Sequence, residues 1–381
     1  MQAEGLYSRP MRIGVVTEVA ADERRVALVP ESAARLIAAK ADVAIQKGAG
    51  ETAFFPDSTY RDVGAAVLGT QRQVLTTADL ILTVRPPAST EVALIRKGSL
   101  LVGMLQPLNQ PELLEQLAKR GISAFSLERL PRISRAQDMD VLSSMSTVSG
   151  YHAVLLAATR LPRFFPLLMT AAGTVTPARV LVLGAGVAGL QAIATARRLG
   201  GVVRAFDVRP QVREQIESLG AQFVEVGEPV EGAEGQGGYA GEVSAASQKR
   251  EQEALAREVA EADVVITTAL VPGRRAPLLV TMAAVAKMRP GSVVVDLAAE
   301  AGGNCELTQP GKEIEKDGVW ILGPLDLPSR MAYHASQLYS RNVTRFALAL
   351  IKEGQLQPDF DDEVVSATCV THDGKVLVSK S

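Results

Sequence analysis

The stretch Val180–Asp207 constrains the fold more than any other part of this 381-residue chain. An apolar, β-branched run leads into three glycines with the spacing G-x-G-x-x-G, which are Gly184, Gly186 and Gly189. Helical composition follows, and then a second apolar run, Val202–Phe206. In such a pattern the first glycine permits a tight strand-to-helix turn, the second lets a pyrophosphate approach the backbone, and the third lets the helix pack closely on the strand. The stretch therefore predicts a βαβ unit that binds a dinucleotide.

Asp207 ends the second strand of this unit, about 20 residues after the first glycine, which is the usual spacing for an acidic ribose ligand. A carboxylate at this place accepts hydrogen bonds from the ribose hydroxyls and repels a 2′-phosphate. We therefore expect NAD(H) to be preferred over NADP(H). The alternative is an ordinary βα turn followed by a surface aspartate, because glycine-rich turns are common.

The composition is that of a soluble globular protein, with 47% hydrophobic and 22% charged residues. The length predicts two domains. The net charge of −2 gives no indication of a nucleic-acid partner. We find no apolar run near the roughly 20 residues of a membrane helix and no signal-peptide pattern, so membrane insertion is not expected. The two distant cysteines, Cys305 and Cys369, argue against a disulfide framework and against a metal site.

Strand-like and helical segments alternate along the chain, which predicts the α/β class: two Rossmann-like domains with doubly wound parallel sheets, joined by long helices. The expected domains are residues 1–142 with 331–381, a bridging helix at 143–164, and a nucleotide-binding domain at 165–330. The strands expected in the first domain are residues 11–16, 41–45, 80–84, 100–105 and 122–127, with shorter runs in the tail at 364–366 and 375–379. Those expected in the second, in the order 3-2-1-4-5-6, are 180–183, 202–206, 222–226, 264–268, 292–296 and 319–322. The main helices are expected at 31–40, 111–119, 142–161 and 330–352.

Two segments depart from this rhythm. Pro131–Gly150 is dense in polar side chains just before the nucleotide-binding domain. Residues 227–253 are rich in glycine, carry Gly238 and Tyr239, and are too long for a routine connection. We interpret them as a ligand-facing segment and as a mobile loop that closes over a ligand. The alternatives are a solvated helix face and a solvated tether with an incidental tyrosine.

Several segments resemble the NAD(H)-binding component of proton-translocating NAD(P) transhydrogenases. They are LPRISRAQDMD (Leu130–Asp140), the stretch Met169–Gly200 around the glycines, GGYAGE (Gly237–Glu242), ITTALVPG (Ile266–Gly273) and DLAAEAGGNCELTQPG (Asp296–Gly311). The wider superfamily includes alanine dehydrogenase, which shares the signature seen here at Arg25–Pro30. The similarity covers nearly the whole chain.

The resemblance implies that the protein binds NADH and passes a hydride to NADP⁺ on a partner component, while a membrane component couples this transfer to proton movement. It implies a homodimer that lies in the cytoplasm, peripheral to the inner membrane, as a separate subunit. It assigns catalytic roles to Arg132, Gln137, Asp140 and Tyr239. It also implies that NAD(H) is bound by Arg132, Ile133, Ser134, Gln137, Asp140, Ser143, Gly184, Gly186, Val187, Ala188, Gly189, Asp207, Val208, Arg209, Gly238, Thr268, Ala269 and Leu270.

Two other functions remain open from the sequence. Alanine dehydrogenase needs a lysine and a histidine for proton transfer, but the corresponding segments carry Thr83 or Arg85 and Gln106. Arginine stays protonated and is a poor proton carrier, and we expect Arg25 to have a structural ion-pair role. A regulatory module that only binds NAD would also lack an acid–base pair. Hydride transfer between two nicotinamides needs alignment and exclusion of water, not a proton carrier.

Overall fold

The computed structural model describes residues 11–226, 245–271 and 274–378; the side chains of residues 245–251 are also outside the description. The strands are β1 Arg12–Val15, β2 Asp42–Gln46, β3 Ala66–Leu68, β4 Leu80–Leu82, β5 Leu100–Gly103, β6 Ser123–Ser126, β7 Leu168–Thr170, β8 Gly173–Val175, β9 Arg179–Leu183, β10 Val202–Phe206, β11 Gln222–Phe223, β12 Val264–Thr267, β13 Val293–Asp296, β14 Glu313–Lys316, β15 Val319–Leu322, β16 Ile351–Lys352, β17 Gln355–Leu356, β18 Cys369–His372 and β19 Lys375–Val376. The α-helices are α1 Pro30–Ala38, α2 Asp57–Asp62, α3 Gln71–Leu75, α4 Ser89–Val92, α5 Pro111–Lys119, α6 Val141–Arg160, α7 Val187–Arg198, α8 Arg213–Ser218, α9 Ala245–Glu261, α10 Met282–Val285, α11 Leu327–Arg330, α12 Ala332–Ala349 and α13 Glu363–Thr368.

The described residues divide into two compact units. Those up to Met145 and those from Pro328 onward form unit 1, and Ser146–Leu327 form unit 2. Helix α6 begins in the first unit and continues into the second.

Within its described residues, unit 1 is built on an eight-stranded sheet with the order β19-β18-β6-β5-β4-β1-β2-β3. The six strands from β6 to β3 are parallel, and β18 and β19 add an antiparallel edge. The central strands β4 and β5 are buried along their whole length, as expected for a parallel sheet that is covered on both faces. The antiparallel edge comes from the end of the chain, so segments that precede and follow unit 2 in the sequence complete this sheet.

The described part of unit 2 contains a seven-stranded sheet with the order β11-β10-β9-β12-β13-β15-β14. Its six parallel strands follow the expected order 3-2-1-4-5-6, and β14 pairs antiparallel with β15 at the edge. The strand order reverses at β9, whose neighbours are β10 and β12. The carboxyl ends of these three strands lie beside each other, which is where open parallel sheets bind ligands.

Some expectations about individual elements are wrong. Residues 364–366 lie in helix α13, because the Asp362 side chain caps its start by accepting a hydrogen bond from Val364 N at 2.7 Å. The strand in this region is β18 instead. The β7–β8 hairpin and the edge strand β14 were not expected either. The sequence of β14 is charged and has no apolar run.

Helix α6 also corrects the expectation about membrane spans. It is the one described helix that is long and apolar enough to cross a membrane, judged by length and composition alone. Core helices of soluble proteins meet the same criterion.

Candidate functional site

The glycine turn between β9 and α7 is closely packed against the end of β12. Gly184 has a φ of +97°, a left-handed conformation that favours glycine. A Cβ atom at Gly189 would lie 1.9 Å from the carbonyl oxygen of Gly184, so only glycine lets the helix approach the turn this closely. The Thr268 hydroxyl donates to the same carbonyl at 3.0 Å. Backbone and side chain together fix the direction in which α7 leaves the sheet.

Gly186 is different, because it faces open space. It caps the N-terminus of the twelve-residue helix α7, and a Cβ atom there would meet no described atom within 4 Å. Gly186 and Val187 are both exposed, while Ala188 is half-buried. A helix N-terminus carries N–H groups without helical partners and a partial positive charge, both of which favour a phosphate. The turn is therefore a cradle of the right shape and polarity for a pyrophosphate.

Asp207 follows β10 and lies next to this turn. Its carboxylate accepts a hydrogen bond from Ala185 N at 2.7 Å and forms an ion pair with Arg209, whose Nε lies 2.9 Å from Oδ1. The Asp207 side chain is only 5% exposed. Val208, between the two, is half-buried against the sheet. The expected ribose ligand is thus in place, but Arg209 already contacts it.

Thr268, Ala269 and Leu270 follow β12, on the other side of β9. Ala269 is held by the fully buried Asn304, which receives a hydrogen bond from its N–H at 3.0 Å and donates to its carbonyl at 2.9 Å. Leu270 is 42% exposed, so an apolar side chain is available at the same sheet edge. An exposed leucine beside a nucleotide turn can contact an adenine ring.

Asp296 and the residues that follow it, up to Asn304, were expected at the ligand-binding edge from their place at the carboxyl end of a strand. The carboxylate of Asp296, fully buried at the end of β13, accepts hydrogen bonds from the hydroxyls of Thr267 and Thr308 and from the N–H groups of Ala298, Asn304 and Cys305. These bonds fix the loop that carries Asn304. The signal in the sequence was their position at the carboxyl end of a strand, but their role is to hold the site and not to face a ligand.

The polar segment of unit 1 ends at the start of helix α6. Ser134–Met139 forms a 3₁₀ helix. Asp140 then caps α6, accepting hydrogen bonds from Ser143 N at 2.9 Å and from Ser143 Oγ at 2.6 Å. Two of the expected ligands, Asp140 and Ser143, therefore contact each other directly.

Three contacts anchor this segment to the rest of unit 1. Arg135 forms a two-point ion pair with Asp362, at 2.9 and 2.7 Å. Asp138 accepts from Arg345 Nε at 2.8 Å, and its backbone carbonyl accepts from Asn342 at 2.8 Å. Around these anchors Arg132, Ser134 and Gln137 are exposed and Ile133 is half-buried, as the side chains expected to bind a ligand would be. The segment thus has a fixed backbone and presents polar side chains to solvent.

A second polar cluster lies inside unit 1. Arg25 is almost fully buried and pairs with Glu23 through two bonds, Nε to Oε1 at 2.6 Å and Nη2 to Oε2 at 2.5 Å. Arg85 Nε also contacts Glu23, at 2.9 Å. Burial opposes ionisation of Glu23, but the two arginines outweigh it and lower the pKa of this carboxyl. Arg25 therefore has a structural ion-pair role.

The expected ligands consequently form two groups. One comprises the residues around the glycine turn in unit 2, and the other comprises residues 132–143 in unit 1. Gly238 and Tyr239 lie outside the described residues. None of the three histidines belongs to either group: His152 contacts Leu327 O, His334 packs on Tyr333, and His372 contacts Ser123. Among the described residues no cluster of side chains could hold a metal ion.

Comparison with known proteins finds two family models along the chain, and the second spans unit 2 together with the C-terminal segment of unit 1. Residues 14–149 match the family model "Alanine dehydrogenase/PNT, N-terminal domain", and residues 153–379 match "Alanine dehydrogenase/PNT, C-terminal domain". The chain is 46% identical to a Rhodospirillum rubrum protein that is named as the first part of NAD(P) transhydrogenase subunit alpha, over 96% of this chain and 98% of that one.

Two solved structures are similar over the same length. One is a transhydrogenase from Sinorhizobium meliloti, with a TM-score of 0.87 and 43% identity, covering 96% of this chain and 100% of that one. The other is an L-alanine dehydrogenase, with a TM-score of 0.80 and 29% identity, covering 96% and 97%.

Proposed function

Since the chain belongs to the alanine dehydrogenase/PNT family, we propose that it is the NAD(H)-binding component of a proton-translocating NAD(P) transhydrogenase. In this proposal, hydride passes from NADH on this chain to NADP⁺ on a partner component, and a membrane component couples the transfer to proton movement. The chain is 46% identical to the Rhodospirillum rubrum transhydrogenase subunit but 30% identical to an alanine dehydrogenase from Mycolicibacterium smegmatis, which favours this member of the family.

The observation that carries the proposal is that one chain contains both an open nucleotide cradle and an exposed polar segment, whereas Thr83, Arg85 and Gln106 stand at the positions of the lysine and histidine of proton transfer. The cradle at Gly186 fits a pyrophosphate by shape and polarity. The segment from Arg132 to Asp140 presents an amide and a guanidinium. Transfer of a hydride between two nicotinamide rings releases no proton at either carbon, so this set of groups suffices.

The residues of the chain then have separate tasks. Gly184, Gly186 and Gly189 shape the pyrophosphate cradle, Asp207 binds the adenosine ribose, and Thr268–Leu270 line the adenine side. Arg132 and Asp140 orient the nicotinamide end, with Ser143 supporting Asp140, and Gln137 reaches toward the second nucleotide. NADH, when bound, supplies the hydride. Tyr239 is proposed to close over the nucleotide.

An alanine dehydrogenase activity is less well supported, although Arg25 is shared with that branch. In alanine dehydrogenase this arginine binds the substrate carboxylate, whereas here Glu23 already occupies its guanidinium. Thr83 donates to Arg85 O, and Gln106 stands where a histidine would be needed. These three described positions therefore offer no acid–base pair.

We further propose that the protein acts as a homodimer at the cytoplasmic face of the inner membrane. Its partners would be the NADP(H)-binding component and the membrane subunits. These proposals depend on the resemblance to the transhydrogenase family.

A hydride-exchange assay tests the function. The protein is mixed with the NADP(H)-binding component, NADP(H), NADH and an NAD⁺ analogue whose reduced form absorbs at a different wavelength. We expect hydride transfer only when both proteins are present. Ammonia-dependent reduction of pyruvate without a partner would indicate a dehydrogenase instead, and tight NADH binding with neither reaction would indicate a regulatory module.

The same assay tests the role of Gln137. We expect Gln137→Asn to slow hydride transfer about tenfold or more, because a shorter amide cannot align the second nucleotide, while NADH affinity stays within about twofold. Gln215→Asn, an exposed glutamine in unit 2, is the matched control. A large loss of NADH affinity with normal turnover would contradict the assigned role.

A further inference from the structure

The carboxylate of Asp207 is saturated by hydrogen bonds from described residues. Oδ1 accepts from Arg209 N and Arg209 Nε, both at 2.9 Å, and Oδ2 accepts from Ala185 N at 2.7 Å and Arg209 Nη2 at 2.9 Å. A carboxylate has about four acceptor sites, two on each oxygen. The Asp207–Arg209 pair is also well shielded, with the two side chains 5% and 15% exposed.

Ribose hydroxyls can therefore reach Asp207 only when another donor gives way. Two of the four donors are backbone N–H groups, from Ala185 in the glycine turn and from Arg209 itself, and they are fixed by the fold. The other two belong to the Arg209 guanidinium, which sits at the end of a flexible side chain. Binding of a dinucleotide must consequently displace or share the guanidinium.

A displaced Arg209 guanidinium stays close to the ribose, because its backbone is hydrogen-bonded to Asp207. An arginine near this ribose is the group with which other nucleotide sites accept a 2′-phosphate, and a guanidinium can bind phosphate through two parallel hydrogen bonds. The site therefore holds Arg209, a residue type that binds the 2′-phosphate of NADP(H), next to Asp207, a residue type that favours NAD(H).

We propose that Arg209 is a latent 2′-phosphate ligand that Asp207 holds in an ion pair, so that the Asp207–Arg209 pair, and not the carboxylate alone, sets the selectivity for NAD(H). This inference depends on the proposed binding of a dinucleotide at the glycine turn. It goes beyond that proposal by assigning Arg209 an opposing role in selectivity.

Equilibrium titrations with NADH and NADPH test the inference in the wild type and in three variants. Asp207→Asn removes the charge but keeps an oxygen for Ala185 N. We expect it to raise NADPH affinity by about tenfold to a hundredfold, the range for hydrogen bonds to a charged group. The double variant Asp207→Asn/Arg209→Ala should lose this gain. The control double variant Asp207→Asn/Arg213→Ala should retain it, because Arg213 lies in the same region but is engaged by Glu225 at 2.6 Å.

Equal NADPH affinity in Asp207→Asn and Asp207→Asn/Arg209→Ala would overturn the inference, as would loss of the gain in the Arg213 control. Asp207 is buried, so a further variant covers the case in which Asp207→Asn does not fold. Arg209→Ala leaves the carboxylate without its cation, and we expect the ratio of the NADPH to the NADH dissociation constant to rise by about tenfold. An unchanged or smaller ratio would contradict the inference.

Failure of the proposed function is distinguishable from failure of this inference, because the wild type would then bind no NADH.

Discussion

Glu18 is a described residue whose carboxyl ionises far from its ordinary pKa. It lies after β1, partly buried, and accepts hydrogen bonds from Val84 N at 2.6 Å and Arg85 N at 3.0 Å. Burial raises the pKa of its carboxyl from 4.5 to about 8; the two backbone hydrogen bonds oppose this rise and the nearby Glu23 carboxylate adds to it. Glu18 is consequently protonated in the folded protein at a pH where the unfolded chain has lost that proton.

This difference predicts a pH-dependent effect of Glu18→Gln. Between about pH 4.5 and pH 8 the folded state holds a proton that the unfolded state releases, so the unfolding free energy of the wild type falls as pH rises. Gln carries no such proton. We expect the variant to gain stability relative to the wild type across this range, by about 2–4 kcal/mol after allowing for partial exposure.

Urea unfolding at pH 5, 7 and 9 measures this difference. Glu253→Gln, at an exposed position of α9, is the control, and its difference from the wild type should stay constant across these pH values. A constant difference between Glu18→Gln and the wild type from pH 5 to pH 9 would show that Glu18 titrates normally.

Residue-scale prediction from the sequence succeeded where backbone geometry dictates the residue. The positive φ of Gly184 and the close approach at Gly189 require glycine, and the spacing revealed both. A structural ion pair was also expected for Arg25, and its partner is Glu23. The saturation of Asp207 by Arg209 was not predictable, because it depends on a side-chain rotamer that spacing does not encode.

At the scale of elements, the 3₁₀ helix Ser134–Met139 is the segment whose position matters most for the proposed chemistry. Surface contacts hold it, among them the Arg135–Asp362 ion pair, whose side chains are 52% and 29% exposed. Such an exposed pair contributes little to stability, because solvent screens it. The Arg135–Asp362 ion pair instead fixes the backbone from which the side chains of Arg132 and Gln137 project.

We predict that Arg135→Ala slows hydride transfer by about three- to tenfold, because small misplacement of an orienting group is costly in rate. NADH affinity should change by less than about twofold, and the unfolding free energy should stay close to that of the wild type, because the pair is exposed. Arg135→Lys should restore only part of the rate, since lysine lacks the two-point geometry.

The control for this prediction is Arg129→Ala. Arg129 also contacts the α13 region, through Ala367 O at 3.2 Å, but it precedes the 3₁₀ helix. Stopped-flow transfer rates and NADH titrations of all three variants measure the effect. If Arg135→Ala and Arg129→Ala slow transfer equally, positioning by the ion pair is excluded.

Helices and strands with regularly spaced apolar residues could be predicted from the sequence. Elements that depend on a capping side chain or consist of polar residues could not. The composition of residues 364–366 is typical of a strand, yet these residues lie in helix α13, because Asp362 caps its N-terminus. The edge strand β14 has the sequence Glu-Ile-Glu-Lys, which carries no strand signal beyond one isoleucine. Its pairing with β15 is a tertiary contact, so local composition could not reveal it.

At the scale of the whole molecule, ligand binding and folding are linked. A ligand that binds only the folded state stabilises it by about 2.7 kcal/mol when present at a hundred times its dissociation constant. We expect NADH to raise the melting temperature accordingly, and NADPH at the same concentration to raise it less.

The variant Gly186→Ala tests whether nucleotide binding can be lost while the stability of the free protein is kept. A Cβ atom there meets no described atom, and the backbone has a φ of −73°, so without nucleotide the stability should change by no more than about 1 kcal/mol. The same Cβ would obstruct a pyrophosphate. Thermal melts with and without NADH measure both effects, and a full NADH-induced rise in the variant would place the nucleotide elsewhere.

The topology of the first sheet was predictable only in its parallel section. In that section, the alternation of strands and helices indicated a parallel sheet. The same reasoning gave the strand order of the second sheet, where β9–β13 and β15 follow the expected arrangement. The antiparallel pairing of β18 with β6 joins segments more than 240 residues apart. No local pattern specifies such a partner, since both surfaces form only on folding.

That distant pairing sets the sequence of events on the ribosome. Domains fold as units while synthesis proceeds at about 5–20 residues per second, and roughly 180 residues of unit 2 are made between the two segments of unit 1. About 240 residues separate β6 from β18, so about 12–50 s pass before the first sheet gains its last strands, and unit 2 is made within that time. During that interval β6 has an open border, which is a place where a chaperone could shield the growing chain.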